Sequence, residues 1–139
     1  MFMYELEELH PLLIHFPIAL LSVGVLCDYL GTFFKKESLL NAGWWCLLFG
    51  FLSTIFTIIT GFLADELYGH MGEPFPLFET HGSLQIFSSL IFAGLIIWRV
   101  KNKSELPEKP LLYLFLGIAA VGVMTLFYGG FLGAELAGR

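Results

Sequence analysis

An all-α, integral membrane four-helix bundle of up-down-up-down order is the fold this chain predicts, and three observations predict it. Hydrophobic residues make up 57% of its 139 residues and charged ones 14%, with mean hydropathy +0.79. Soluble domains carry about 25% charged residues, so lipid rather than water is the expected solvent. Apolar stretches cover Pro11–Phe34, Leu39–Ala64, Thr80–Trp98 and Pro110–Ala134, with Asp28 their single carboxylate or base. Each approaches or exceeds the ~20 residues that cross a hydrocarbon core. Finally, the connections are short except Asp65–Glu79, and no 20–50-residue repeat is visible. Residues 1–139 therefore read as one domain.

Segment one opens on His10-Pro11-Leu12-Leu13-Ile14-His15-Phe16-Pro17. Pro11 suits a first helical position, and Pro17 lies early enough that its missing donor should cost little. Glu5, Glu7 and Glu8 precede the segment without a base, which is unlike the positive start of a cleaved signal peptide. The segment is expected to remain in the mature protein. Segment two carries Gly43, Cys46, Gly50, Thr54, Thr57, Gly61 and Ala64 at intervals of three and four, one stripe of small side chains. Membrane helix interfaces favour such residues because lipid gives no hydrophobic drive for association. Segment three places Gln85 and Ser88 four and seven residues after His81; segment one places Ala19 and Ser22 likewise after His15. Segment four carries Gly122, Thr125, Gly129 and Gly133. The stripes predict a compact bundle with His15 and His81 turned inward, and close packing alone accounts for the glycines. Cys27 and Cys46 form no CxxC pair and are read as small packing residues.

Charge sets the expected orientation. Lys35, Lys36, Arg99, Lys101, Lys103 and Lys109 fall in the first and third connections, six of the seven bases. By the positive-inside rule that face is cytoplasmic and both termini are external, as in a multi-pass protein of a bacterial inner membrane. The other face collects most of the carboxylates, consistent with the net charge of −5. Such a face argues against nucleic acid or anionic lipid as partners there.

All four histidines, His10, His15, His70 and His81, lie toward the external side. An ionisable side chain in hydrocarbon is costly and often marks a functional site. His15 and His81 begin different segments at one depth, an arrangement that suits haem or a metal ion. The competing reading is that each hydrogen-bonds a neighbouring helix and binds nothing. His10 precedes a proline and lies about 140° around the helix from His15. His70, beside Met71, offers a weaker soft-metal pair. A ligating imidazole gives its other N–H to a carboxylate, carbonyl or hydroxyl, and Gln85, Asp65, Tyr128, Thr57 and Thr60 lie at suitable depth. Asp28, near the cytoplasmic end of segment one, is expected to reach the interface and is left out of the site.

The element His10-Pro11-x-x-x-His15-Phe16-Pro17, with Ala19-Leu20, Asp28, Thr60-Gly61 and His81, resembles a bacterial family of small four-helix membrane proteins, domain of unknown function 2231. The resemblance covers essentially the whole chain. Where relatives carry an asparagine soon after the third-segment histidine, Gln85 is the nearest amide here. Some relatives are fused to Rieske iron–sulfur or c-type cytochrome domains, which implies redox work near the outer face.

The leading expectation is an electron-transfer protein rather than a stand-alone enzyme. His15 and His81 would be axial ligands of a b-type haem, and the partners a quinol or an external redox protein. Two imidazoles fill both axial positions and leave none for substrate. Against haem stands the scarcity of bases near its propionates, with Arg139 alone on that face. Copper or zinc at His15 and His81, with His10, His70 and the external carboxylates, is the first alternative. A cofactor-free structural or assembly subunit is the second. Homo- or hetero-oligomers fit any of these.

Overall fold

The computed structural model describes residues 12–68 and 81–136, and the backbone alone of 63–68 and 136. Four helices cover most of that length: α1 His15–Phe34, α2 Glu37–Tyr68, α3 His81–Lys101 and α4 Leu111–Leu136. All four are long and apolar enough to cross a membrane. Neighbours around the bundle follow chain order. α1 packs on α2 and α4, α3 packs on α2 and α4, and α1 and α3 stand diagonally opposite. Leu21, Leu47, Phe92, Leu95, Phe115 and Leu126 meet along the axis as a dry core. The outer surface is apolar too, with Phe33, Met124, Leu90 and Phe56 between 64% and 79% exposed. Side chains so apolar and so uncovered are solvated by lipid, which confirms the fold class read from composition.

Proline shapes the entry of α1. Residues 12 and 13 are helical, Ile14 is a turn, and the regular helix runs from His15; Pro11 lies outside the described residues. Pro17 has no N–H to offer the Leu13 carbonyl, and its ring crowds that oxygen. The missing donor therefore leaves a gap in the hydrogen-bond ladder one turn before the proline, while Ile14 keeps right-handed helical backbone at φ −61° and ψ −24°.

The first connection is as short as an antiparallel pair allows. Lys35 caps α1 in the left-handed region at φ 54° with its N–H on the Gly31 carbonyl, a helix stop usually given to glycine. The Lys36 N–H bonds the same carbonyl at 3.0 Å, and α2 starts at Glu37. Along the α1–α2 seam, glycines of each helix receive leucines of the other. A methyl group on Gly24 would come within about 3.0 Å of Leu47, and one on Gly50 within 2.9 Å of Leu21. Gly43 is backed by Asp28 in the same way. The small-residue stripe of segment two thus packs on α1. The buried face of α1 is Pro17, Leu21, Gly24, Val25, Asp28 and Gly31, whereas His15 and Ala19 are exposed.

Candidate functional site

The N-terminal half of α3 is fastened to α4 by side chains one turn apart. His81 Nδ1 lies 2.5 Å from the Gly129 carbonyl, Gln85 Nε2 donates to the Leu126 carbonyl at 3.3 Å, and Ser88 Oγ donates to the Gly122 carbonyl at 3.0 Å. Residues 81, 85 and 88 share one helical face. They reach backbone oxygens because the facing positions of α4 are glycines. A methyl group on Gly129 would press on Gln85 Nε2 at 2.9 Å, and one on Gly133 on His81 Nδ1 at 2.6 Å. The polar stripe of segment three and the glycine stripe of segment four are the two sides of one seam.

That seam fixes the tautomer of His81. A carbonyl only accepts, so Nδ1 carries the proton it donates and, in the neutral ring, Nε2 is a bare acceptor. The interhelical bond weighed against ligation thus exists, and it prepares the ring as well. Ligating imidazoles typically give their other N–H to just such a partner.

A cavity of about 90 Å³ opens beside the ring at this end of the bundle. Its walls include Pro17 and Ile18 of α1, Thr57 and Ile58 of α2, and His81 and Gln85 of α3. All four helices contribute, since Gly130 of α4 also borders it. Thr57 Oγ1 donates along its own helix, to the Ser53 and Thr54 carbonyls at 3.1 and 2.9 Å.

The other residues singled out in the sequence divide as follows. His15 and His81 are the first residues of α1 and α3, which run parallel, so both stand at this end. His15 nevertheless lies on the exposed side of α1, while Ile14, Pro17 and Ile18 supply that helix's share of the wall. Tyr128 is 53% exposed and borders a separate crevice with Leu84 and Met124. His10, His70, Glu73, Glu79 and the side chain of Asp65 lie outside the described residues. Among the described residues no three His, Cys, Asp or Glu side chains come together as metal donors.

Sequence reasoning missed a second polar centre at the opposite end. Asp28, expected at the interface, is 1% exposed, as is Arg99. Arg99 Nη1 donates to both carboxylate oxygens at 2.8 Å, Nη2 to the Leu40 carbonyl at 2.7 Å, and Nε to the Ser104 carbonyl at 3.0 Å. Its guanidinium also lies 5.6 Å from the Trp44 ring centroid. Left-handed backbone at Lys103 and Ser104, φ 57° and 68°, turns the chain back so that the Ser104 carbonyl meets Arg99. The pair ties diagonal helices α1 and α3 together. The signal was present: an isolated carboxylate in hydrocarbon demands a partner. Ending segment three at Trp98 puts Arg99 in the third connection, whereas α3 continues to Lys101.

The geometry can be set beside known proteins. A family model described as a predicted membrane protein, DUF2231, matches residues 7–139. No match was found among curated proteins or among solved structures.

Proposed function

The chain belongs to the DUF2231 family of predicted membrane proteins, and we propose that it is an electron-transfer component holding a redox-active ligand through Nε2 of His81. The observation that carries this reading is the 2.5 Å contact between Nδ1 and the Gly129 carbonyl. It locks the ring and commits the proton, so that Nε2 is the atom left to ligate or to accept. The adjoining cavity is bordered by all four helices, where bundles commonly build cofactor sites.

Two occupants suit an imidazole held this way. Haem b would take His81 and His15 as axial ligands, for which their common end of the bundle speaks. It would also have to draw in His15 from the exposed side of α1. A lipid-soluble quinol would need His81 alone. Copper or zinc would need further donors, such as His10 and His70.

Purified protein, its absorbance spectrum and an organic extract of it test the reading. Bis-imidazole haem would give a six-coordinate, low-spin spectrum lost in both His15→Ala and His81→Ala and kept in His10→Ala and His70→Ala. Extractable quinol lost only in His81→Ala would identify the second occupant. Protein that binds neither, when both are supplied in excess, ends the electron-transfer reading.

A further inference from the structure

We infer that the cavity beside His81 is a binding site for the ring of a lipid-soluble quinol, in preference to its oxidised quinone. The inference rests on the electron-transfer reading for its redox context and on the cavity for its polarity. The cavity opens at the histidine end of the bundle and has a volume of about 90 Å³. Pro17, Ile18, Ile58 and Ile86 line it, so its walls suit a ring delivered from lipid.

The polar atoms choose the redox form. His81 spends its ring proton on the Gly129 carbonyl, so Nε2 accepts. Gln85 directs its nitrogen toward α4, where it donates to the Leu126 carbonyl and lies against Gly129. Its amide retains a second N–H and an accepting oxygen, so Gln85 can meet either redox form and the choice falls to His81. Thr57 has likewise committed its hydroxyl proton to its own helix. His81 and Gln85 are four residues apart on one face of α3, and both border the cavity. A quinol brings a donor to His81 Nε2. A quinone brings only acceptors and leaves one facing the Nε2 lone pair without a proton between, which forfeits that hydrogen bond. No electron-transfer step is needed for this preference.

Titration of the detergent-solubilised full chain under anaerobic conditions tests it, with decylubiquinol, decylubiquinone and decylbenzene as probes and calorimetry as readout. Quinol should bind at least tenfold tighter than quinone, and decylbenzene more weakly still. His81→Ala, which removes the Nε2 acceptor, should erase most of the preference for quinol. Ile86→Phe, which fills the cavity from an apolar wall, should abolish binding of all three while thermal unfolding stays within a few degrees of wild type. Equal affinity for quinol and decylbenzene, or for quinol and quinone, overturns the inference. So does unimpaired quinol binding in a folded Ile86→Phe variant. Protein that carries haem on His81 and excludes quinol overturns the inference and leaves the electron-transfer reading standing; protein that binds neither ends both.

Discussion

Removing one partner of the Asp28–Arg99 pair should be far more damaging than removing both. Either single substitution to leucine leaves a charged group in a site with about 1% exposure on each side. Losing half of a buried pair costs ~3–5 kcal/mol. Replacing both with apolar groups is often near neutral, but here Arg99 also serves the Leu40 and Ser104 carbonyls. Each orphaned carbonyl costs ~1 kcal/mol, so Asp28→Leu/Arg99→Leu should lie ~2 kcal/mol below wild type. The coupling in the double-mutant cycle should therefore exceed ~3 kcal/mol. Reversible unfolding of bicelle-embedded protein by SDS, followed by circular dichroism, measures all four corners. Additive single effects, or singles below ~1 kcal/mol, would show that the pair is solvated and does not fasten α1 to α3.

Other consequences follow the seams. Gly50→Leu should destabilise by ~1–3 kcal/mol or more through overpacking against Leu21, whereas Gly94→Ala, where a methyl meets nothing within 4 Å, should be neutral or stabilising; the same unfolding assay ranks them. Ser88→Ala should cost ~0.6 kcal/mol, and no more than ~1.7, the range for interhelical hydrogen bonds in membranes, because its hydroxyl reaches the Gly122 carbonyl. A Lys103→Cys variant should resist a membrane-impermeant thiol reagent in intact cells while Glu7→Cys reacts; the reverse labelling would turn the histidine end toward the cytoplasm.

Fold class and the α3–α4 seam were legible because they depend on composition and on spacing along one helix. His81, Gln85 and Ser88 recur with helical period, and small residues on α4 permit the approach. Spacing alone could not rotate α1 correctly. His15 and Ala19 fall on the exposed side while Ser22 is half-buried with its hydroxyl oxygen inside, since this interface is built from glycines that receive leucines: Gly24 with Leu47 and Gly31 with Leu40. The Asp28–Arg99 pair spans 71 residues of sequence and crosses the diagonal of the bundle, a distance that no local pattern encodes. The break at Ile14 was visible in principle from Pro17, but only by asking which carbonyl loses its donor. The acceptor role of His81 Nε2 depends on the backbone of another helix and required the structure.

The most direct test of the central claim is to identify what co-purifies with the protein from its native membrane, in wild type and His81→Ala. Haem is read by absorbance and quinol by extraction and mass spectrometry. A near-stoichiometric redox-active ligand is expected in wild type, a quinol by the acceptor on His81, and its loss is expected in a folded His81→Ala variant. A folded wild-type protein that carries no redox-active ligand, or a ligand retained equally by both proteins, would contradict that claim.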